Sequence, residues 1–394
     1  MRAVKAVKQN IQPIPELDGL LESFRSMVNY CIHVGLENNI TSRFQLINIV
    51  YHDLCNGLHT WYILSAAEKA CAILKNYRKA MHKNPDTQKP YVRKPFVSIG
   101  TKGYKIADGK LKVTLKPRQY LFVSLNKHTL KVLSEPDLKF GSITLTARTV
   151  AIAFSKEPAM VEPSGYIGVD RNLDNVTTAS SNGEVVRYDL SEATRIKATY
   201  REVKSHFRRN DTRIRQRIFR KYGVKQRNKV NQILHHVSKD IVGKAKENQF
   251  GIILENLKGI RKLYRKGNGQ GRNYRSRLNG WSFYELQRQT EYKAEWEGVK
   301  VVYVDARGTS SNCPICGSKL YPNGRRQLWC PNCNVSDDRD EIASANILQR
   351  GLRFSPVGLA GEAMIKEPLK SVILKVDVSQ VMKPEPNVDS NRQF

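Results

Sequence analysis

The stretch TSSNCPICGSKLYPNGRRQLWCPNCNVSDDRDEIASANIL, residues 309–348, places four cysteines directly before an acidic run and a helical apolar pattern. The cysteines have the spacing C-x2-C-x13-C-x2-C, and each pair lies on a tight turn containing Pro or Gly. This spacing directs four sulfurs to one point, which is the geometry that tetrahedral zinc requires. We therefore expect one structural Zn2+ held by Cys313, Cys316, Cys330 and Cys333.

Two disulfides are the alternative interpretation of these four cysteines. The chain starts with MRAVKAVKQNIQPIPELDGL, which lacks the apolar core of a secretory signal, so disulfides are disfavoured. The other three cysteines, Cys31, Cys55 and Cys71, lie in apolar contexts and are predicted to be buried thiols.

The charge balance points to a polyanionic partner. The chain has 394 residues, with 66 Lys and Arg against 36 Asp and Glu, a formal net charge of +30. Nucleic acid is the partner that such an excess favours. The length is sufficient for two or three domains. No apolar run is long enough for a membrane span, so we expect a cytoplasmic protein that associates with the nucleoid when bound to DNA.

The first part of the chain contains both strand-like and helix-like patterns of apolar residues. Residues 1–10 read as a short strand, and the region from ELDGLLESF to YRKAMHK has apolar residues at helical spacing. After Pro85 come short apolar runs that predict strands of a small antiparallel barrel or sheet, namely KPFVSIG, KLKVTLK, YLFVSLN, HTLKVLS, GSITLTAR and TVAIAFS. The opening strand and these later strands are expected to form one β domain, into which the helical segment is inserted.

From Gly165 the element order changes. The pattern predicts three strands (YIGVD, NVTTAS and EVVRYDL), a long basic helical stretch, a strand (FGIILE), a Gly/Arg-rich loop, a helix, a strand (VKVVYVD) and, after the cysteines, a last helix. This is the order of the ribonuclease H-like fold. Fold alone does not give function, so the function has to be argued from a site.

Carboxylates stand where such a site is expected. Asp170 ends the first of these strands and Glu255 ends the fourth, which is adjacent to the first in this fold. Either Asp340 or Asp338 begins the last helix, and we favour Asp340 because it directly precedes EIASANIL. Three converging carboxylates repel one another unless divalent cations neutralise them. Two Mg2+ ions about 4 Å apart would supply phosphodiester hydrolysis.

Four segments together carry a family resemblance. GVDRNLDNVTTAS, IILENLKGIR, the run from WSFYELQRQTEYKAEWEG to VVYVDARGTSSNCPICG, and DDRDEIASANIL resemble the RuvC motifs and zinc ribbon of TnpB proteins, transposon-associated RNA-guided DNA nucleases related to type V CRISPR effectors. The resemblance covers roughly residues 160–350. It implies that Asp170, Glu255 and one of the two aspartates, Asp340 in preference to Asp338, are the catalytic metal ligands for two Mg2+ ions.

The resemblance also implies a domain layout. The fold class expected is a multidomain α+β and α/β protein, in which a β-barrel wedge domain with a helical insertion precedes a RuvC nuclease domain with an inserted zinc ribbon. The boundaries are 1–14 and 85–158 for the wedge domain, 15–84 for the helical recognition domain, 160–308 and 336–352 for the RuvC domain, and 309–335 for the ribbon. Residues 353–394 are expected to be a partly disordered tail.

Basic runs suggest the path of a nucleic acid. Between Arg195 and Lys229 there are fourteen Lys or Arg against two acids. Such a surface binds phosphates strongly and without reading sequence. The predicted nucleic-acid contacts are Arg208, Arg209, Arg213, Arg217, Arg220 and Lys221 in this run, Arg265, Arg272 and Arg275 in the Gly/Arg-rich loop, and Lys105 and Lys112 in the β domain.

The resulting hypothesis is an RNA-guided, Mg2+-dependent DNA endonuclease with one RuvC site. Its partners would be a guide RNA and target double-stranded DNA, and no association with a membrane is expected. The sequence leaves open whether the protein is a monomer or a dimer. Two alternatives remain. One is a guide-independent RuvC-like nuclease or recombinase, and the other is a non-cleaving zinc-ribbon regulator that binds nucleic acid.

Overall fold

The computed structural model of the chain describes residues 2–55, 58–208 and 210–353, together with the backbone of a strand at 374–376. The chain divides into two compact units, Met1–Glu157 and Pro158–Phe394. Within the described ranges, no helix combines the length and apolar character that crossing a membrane requires. Most of the predicted tail lies outside the described residues, as does Arg209.

Unit 1 mixes helices and antiparallel strands. Its elements in chain order are β1 (Ala3–Asn10), α1 (Pro15–Glu37), α2 (Arg43–Val50), α3 (Thr60–Met81), β2 (Val97–Ile99), a 3-10 turn (Thr101–Gly103), β3 (Tyr104–Ala107), β4 (Lys110–Lys116), β5 (Gln119–Ser124), α4 (Lys127–Leu133), β6 (Lys139–Thr146) and β7 (Thr149–Lys156). The strands form two sheets, one with the order β1-β7-β6-β2 and one with the order β3-β4-β5.

The helices α1–α3 lie between β1 and β2 in the sequence. Helix α1 begins at Pro15, where the missing N–H of proline costs nothing because the first helical N–H groups have no partner within the helix. Its buried face includes Leu17, Leu21 and Phe24, and α1 packs against α3. The helices of the insertion therefore pack together through their apolar faces.

Residues from both sheets meet around the buried side chain of Gln9 on β1. Its amide nitrogen donates to the carbonyl of Ser124 at 2.8 Å, and its amide oxygen accepts the N–H of Asn126 at 3.0 Å. Both polar ends of this buried amide are thus satisfied, and the first strand of the chain is fixed to the end of β5.

One predicted strand is wrong. The segment HTLKVLS forms helix α4 rather than a strand. The side chain of Asn126 accepts the N–H of Thr129 at 2.7 Å and so caps the helix, and the buried Thr129 and Leu133 lie one turn apart. A seven-residue apolar run fits either period, so the cap decides the structure.

Unit 2 contains the larger sheet. Its elements in chain order are β8 (Gly165–Arg171), β9 (Asn175–Ser180), β10 (Val185–Asp189), α5 (Ser191–Ser205), α6 (Thr212–Ile214), a π-helical turn (Arg215–Phe219), α7 (Arg220–Glu247), β11 (Phe250–Asn256), a 3-10 turn (Ile260–Tyr264), α8 (Arg272–Asn279), α9 (Phe283–Glu297), β12 (Val301–Asp305), β13 (Tyr321–Pro322), β14 (Gln327–Cys330), β15 (Val335–Asp338), α10 (Arg339–Arg353) and β16 (Leu374–Val376). The predicted mixed α+β fold is confirmed.

The central sheet has the order β12-β11-β8-β9-β10-β16. The three strands β8, β9 and β10 are antiparallel, whereas β11 and β12 continue the sheet in parallel with β8. At the other edge, the backbone of β16 pairs in parallel with β10. The carboxyl ends of β8, β11 and β12 therefore lie at one edge of the sheet.

Helices cover both faces of this sheet. On one face, Ile167 and Leu254 pack with residues of α7 and α9; on the other face, Tyr166 and Ile253 pack with Ile347 of α10. The alternation of side chains along β8 and β11 accounts for the division. Strands buried on both faces read as continuous apolar runs, which is why YIG and FGIIL are apolar throughout.

The Gly/Arg-rich segment is more ordered than a loop. It contains a 3-10 turn and the eight-residue helix α8, which starts directly after Gly271. The indole N–H of Trp281 donates to the carbonyl of Asn172 at 2.8 Å, and Arg277 is ion-paired with Asp174. The end of this segment is therefore attached to the turn between β8 and β9.

Candidate active site and metal centre

Asp170 and Glu255 occupy equivalent positions on neighbouring strands. In the parallel pairing of β11 with β8, Leu254 lies opposite Val169, so the next residues, Glu255 and Asp170, follow in the same register. Each is the second-last residue of its strand. Both are buried, with 6% of Glu255 and 7% of Asp170 exposed. Parallel pairing thus brings two carboxylates together at the carboxyl edge of the sheet.

Asp340 approaches the same edge from α10, which packs on β8 and β9. It is the second residue of the helix and is 4% exposed. Its carboxylate accepts the side-chain amide N–H of Asn175, on β9, at 3.0 Å. The last helix therefore carries a third buried carboxylate to the sheet.

Asp338 has a different position. It ends β15, and its carboxylate accepts the backbone N–H of Asp340 at 2.8 Å. This contact satisfies one of the N–H groups that have no partner at the start of a helix. Of the two aspartates that the sequence leaves open, Asp338 caps α10 and Asp340 is the more buried.

The electrostatics of Asp170 reflect its surroundings. Burial, together with the nearby charges of Glu255 and Asp340, raises the pKa of Asp170 to about 8. The side-chain amide of Asn172, which donates to Asp170 at 2.6 Å, opposes this rise. A carboxyl group in this position resists ionisation unless a cation compensates its charge.

Glu255 is held by a residue just ahead of the cysteines. The hydroxyl of Thr309 donates to Glu255 at 2.7 Å, and Asn346 of α10 donates to the carbonyl of Thr309 at 2.7 Å. Burial raises the pKa of Glu255, and the Thr309 hydrogen bond lowers it. This support was not predicted, because Thr309 is separated from Glu255 by 54 residues and follows no recognisable motif.

Arg171 is a second unpredicted feature. Its side chain is 1% exposed and contacts the carbonyl of Glu255, the carbonyl of Phe283 at 3.3 Å and the side chain of Gln287 at 3.0 Å. The positive charge opposes the rise in the pKa of both Asp170 and Glu255. A buried cation next to two buried acids thus compensates part of their repulsion.

Two further arginines contact the acids of the last helix. Arg187 on β10 binds Asp340 at 3.0 Å and Asp338 at 3.6 Å. Arg326 also binds Asp340, and its Nε lies 3.7 Å from Asp338. Neither arginine was predicted. In EVVRYDL, the position of Arg187 within a strand next to the predicted site is a weak indication of its role. Nothing in the sequence distinguishes Arg326 from the other arginines of the ribbon.

The three carboxylates suit a hard divalent cation in ligand type. Mg2+ prefers oxygen ligands and is usually held by one or two carboxylates together with water and substrate phosphate. Within the described ranges, the four cysteine sulfurs all lie within 4.8 Å of one another, whereas the oxygens of Asp170, Glu255 and Asp340 are more widely spaced than this. Burial of the acids and the raised pKa of Asp170 are the features that favour a cation here.

The four cysteines form a compact cluster. The Sγ atoms of Cys313 and Cys333 are 4.0 Å apart, and those of Cys316 and Cys330 are 3.5 Å apart. Zn–S bonds of about 2.3 Å in a tetrahedron place sulfurs about 3.8 Å apart, so the cluster fits a zinc ion. The seven cysteines are all free of disulfides. Cys55 is exposed, which corrects its prediction as a buried thiol.

The two cysteine turns have matching backbones. The N–H of Gly317 donates to the carbonyl of Cys313, and the N–H of Asn334 donates to the carbonyl of Cys330, each at 2.9 Å. Gly317 has φ of 75° and Asn334 has φ of 52°. Glycine and asparagine are the residues that adopt this left-handed conformation most readily, so each C-x2-C pair is followed by a residue that permits its turn.

The predicted nucleic-acid contacts are distributed over both units. In unit 2, the residues that lie exposed are Arg208, Arg213, Arg217, Arg220, Lys221, Arg265 and Arg272, while Arg275 is half-buried. In unit 1, Lys105 is exposed and Lys112 is half-buried. In the described part of the chain none of these cations has an ion-pair partner, so their charges are available to a polyanion.

Fold and site together define a class of protein: a mixed α+β chain with a buried carboxylate cluster beside a four-cysteine ribbon. Residues 283–347 match the family model described as Cas12f1-like, TNB domain, and residues 20–114 match the model described as the uncharacterized protein MJ0013 family. The chain belongs to the TnpB family. It is 31% identical to the TnpB-like protein MJ0751 of Methanocaldococcus jannaschii over 263 residues, which covers 63% of this chain and 92% of that protein.

Two further comparisons extend this relationship. The CRISPR-associated endodeoxyribonuclease Cas12f1 of Sulfoacidibacillus thermotolerans is 33% identical over 116 residues, which covers 29% of this chain and 25% of that protein. Among solved structures, Cas12f1 in its cryo-EM complex with sgRNA and target DNA aligns with a TM-score of 0.54 and 15% identity, covering 85% of this chain and 83% of that one. The structural likeness concerns the fold.

Proposed function

We propose that this chain is an RNA-guided, Mg2+-dependent DNA endonuclease that cuts its target with a single RuvC site. The observation that carries the proposal is the group of three buried carboxylates at one edge of the central sheet, Asp170, Glu255 and Asp340. Nothing in the packing of a sheet requires three buried acids, and burying them costs free energy unless cations compensate their charge.

The proposed domain layout keeps the sequence boundaries. Residues 160–308 and 336–352 form the RuvC domain, 309–335 the zinc ribbon, 1–14 and 85–158 the wedge domain, and 15–84 the helical recognition domain. Pairing of β1 with β7 across the helical insertion supports the division of unit 1. In unit 2, the strand order β12-β11-β8-β9-β10 supports a ribonuclease H-like core.

Asp170, Glu255 and Asp340 would hold the magnesium ions. When bound, two such ions supply activation of a water molecule and stabilisation of the leaving oxygen of a phosphodiester. Asn172 and Thr309 each donate a hydrogen bond to one of these carboxylates and orient it. Asp340 is favoured over Asp338 as the third ligand, because the carboxylate of Asp338 is engaged in capping α10.

The four cysteines would hold one structural zinc ion. Four thiolates fill its coordination sphere, so the role of the metal is to fix the ribbon. That role has a local consequence, because the ribbon contains Thr309, whose hydroxyl donates to Glu255. Thr309 and Asn312, which precede the first cysteine, are held to α10 through Asn346. A folded ribbon therefore supports the arrangement of the carboxylate site.

Guide RNA and target DNA are the proposed partners. The names of related proteins supply the substrate class: Cas12f1 is described as an endodeoxyribonuclease and has been solved with sgRNA and target DNA. The excess of +30 charge and the exposed arginines of unit 2 support binding of two phosphate backbones. In such an enzyme base pairing with the guide supplies most of the sequence specificity.

The test uses the full chain purified from cells that also carry its flanking DNA. RNA that copurifies is sequenced, and cleavage of a matching DNA duplex in Mg2+ is compared for the wild-type protein, Asp170→Asn and the control Asp174→Asn. Asp174 lies only four residues away, but it is at the surface and paired with Arg277. We expect a discrete RNA, cleavage by wild type and control, and none by Asp170→Asn.

Other outcomes would overturn the proposal. Cleavage by protein stripped of RNA would indicate a guide-independent nuclease or recombinase. Tight RNA binding by a wild-type protein that leaves matched DNA intact in Mg2+ would indicate a non-cleaving regulator. Equal cleavage by wild type and Asp170→Asn would remove the carboxylate site from the reaction.

A further inference from the structure

The small sheet β3-β4-β5 of unit 1 has an inner and an outer face. Leu111, Val113, Leu121 and Val123 are buried on the inner face. The outer face is defined by the strand register, which places Lys105 beside Lys112 and Lys112 beside Phe122. In the next row Thr114 lies beside Tyr120. A packed inner face keeps these outward side chains on a rigid support.

Two aromatic rings stand exposed on the outer face. Tyr120 is 43% exposed and Phe122 is 55% exposed. They are two residues apart on one strand, so both side chains leave the same face from backbone positions about 6.7 Å apart. Exposed large aromatic side chains in neighbouring positions cost solvation free energy, and a bound partner recovers it.

A lysine ammonium lies directly over these rings. The Nζ atom of Lys112 is 3.7 Å from the ring centroid of Tyr120 and 5.9 Å from that of Phe122. A phosphate attracted to Lys112 would therefore bring its own base within reach of either ring. The same position offers a charge for a backbone and a stacking surface for a base.

The charges around the rings are of one sign. Residues 104–124 contain five cations and one acid, Asp108. The cations are Lys105, Lys110, Lys112, Lys116 and Arg118. An apolar protein partner would not require this excess, whereas a nucleic acid strand requires both the cations and the rings.

We propose that the outer face of β3-β4-β5 binds unpaired nucleotides of the guide RNA, with bases stacked on Tyr120 and Phe122 and phosphates held by Lys105 and Lys112. This inference rests on the proposed function, because it takes the guide as the resident nucleic acid. Bases within a duplex are already stacked on their neighbours, so only an unpaired stretch offers its faces to these rings. Target DNA arrives as a duplex, which favours the RNA.

The binding test uses the full chain freed of RNA and a labelled oligouridylate of about 12 nucleotides, a length that a single surface can cover. Replacing both rings by leucine, Tyr120→Leu with Phe122→Leu, should weaken binding by about tenfold or more, since each base stacked on a ring contributes substantially. The control is Phe44→Leu, which removes an even more exposed ring from α2 and should leave binding unchanged. Tyr120→Phe keeps the ring and should retain binding.

Salt dependence separates stacking from charge. The double leucine variant should keep the wild-type slope of affinity against salt, whereas Lys112→Gln should reduce that slope by about one phosphate contact. In the RNA that copurifies with the chain, the double substitution should make one unpaired stretch newly reactive to chemical probes. Unchanged thermal unfolding of each variant would show that the sheet is intact.

Several results would overturn the inference. One is wild-type affinity of the double leucine variant for oligouridylate. Another is equal weakening by Phe44→Leu. A third is a change in association state without a change in RNA binding, which would make the face a protein contact. Strong binding of oligodeoxythymidylate without binding of oligouridylate would assign the face to DNA. Because the RNA-binding test does not require DNA cleavage, its outcome can be distinguished from the outcome of the nuclease test.

Discussion

Arg326 of the cysteine ribbon is ion-paired with Asp340 at the start of α10. Arg187 reaches the same carboxylate from the central sheet, so two guanidinium groups contact one buried acid. These contacts neutralise Asp340 by protein side chains alone. A divalent cation that uses Asp340 as a ligand would compete with both arginines.

We predict that Arg326→Met strengthens the binding of divalent cations. Removing one competitor should lower the half-saturating Mn2+ concentration about two- to fivefold, because an ion pair with a partly exposed arginine contributes up to about 1 kcal/mol. Free Mn2+ can be counted by electron paramagnetic resonance during a titration. Arg325→Met is the matched control. Arg325 is exposed, is next to Arg326 in the sequence and makes no ion pair within the described residues. Weaker Mn2+ binding by Arg326→Met would show that this arginine organises the site instead.

The two aspartates at the start of α10, Asp338 and Asp340, should behave differently. Asp340→Asn is expected to lower DNA cleavage by more than about a hundredfold, since even residues that only support metal ligands cost 10- to 100-fold. Asp338→Asn should stay within about tenfold of wild type, because asparagine caps a helix as well as aspartate. Cleavage rates at saturating Mg2+ provide the measurement. The opposite ranking would make Asp338 the ligand.

Without divalent cations, the stability of unit 2 should fall as the pH rises. The pKa of Asp170 is about 8 in the folded chain and near 3.8 ordinarily, so between these values the folded state holds a proton that the unfolded state has lost. The contribution is fully present below about pH 4 and is lost at about 1.4 kcal/mol per pH unit up to about pH 8.

Urea unfolding in EDTA at about pH 6 and pH 8 tests this dependence. Three of the four tryptophans, Trp281, Trp296 and Trp329, lie in unit 2 and report its unfolding by fluorescence. Asp170→Asn should show a smaller loss of stability between the two pH values than wild type or the control Asp174→Asn. Mg2+ should reduce the loss in wild type. Identical pH dependence in all three proteins would contradict the prediction.

Loss of one cysteine ligand should remove the zinc ion. We expect about one zinc per wild-type chain and nearly none in Cys330→Ser, measured by elemental analysis after dialysis. Cleavage should fall as well, because the ribbon contains Thr309, whose hydroxyl donates a hydrogen bond to Glu255. Cys55→Ser is the control, since Cys55 is exposed and lies outside the cluster. A full zinc content in Cys330→Ser would refute the site.

A methyl group at Gly168 should disrupt the contact between β8 and α10. An added Cβ would lie 2.5 Å from the carbonyl oxygen of Ser344 and 2.6 Å from the backbone nitrogen of Leu348. Because backbone atoms cannot rotate away, Gly168→Ala should cost about 2–3 kcal/mol or more. Gly243→Ala, in open space on α7, should instead stabilise by roughly 0.5–1 kcal/mol. Urea midpoints distinguish the two, and equal midpoints would contradict the close approach.

The sequence predicts best where local patterns and strand ends coincide. Asp170 and Glu255 each follow an apolar run, and parallel pairing of such runs determines that their ends meet. The cysteine cluster is equally local, since two short turns carry all four sulfurs. These features depend on period and spacing, which a single sequence contains.

The supporting side chains could not be predicted in the same way. Arg187 is separated from Asp340 by 153 residues, and Arg326 is one of many arginines in a strongly basic chain. Their roles arise from how helix α10 and the ribbon pack, which no local pattern encodes. The strand predicted at HTLKVLS is wrong for a local reason. One capping contact from Asn126 outweighs an apolar pattern that also fits a strand.

The pairing of β1 with β7 has a consequence for synthesis of the chain. Residues Ala3–Asn10 find their partner only when Thr149–Lys156 have been made, so the first strand waits with unpaired backbone groups while some 140 residues follow it. Closing so long a loop is slow, whereas α1 and α3 pack through contacts much nearer in sequence. On the ribosome, the helical insertion should therefore fold before the sheet that encloses it in the sequence, and the chain's opening strand should be among the last to settle.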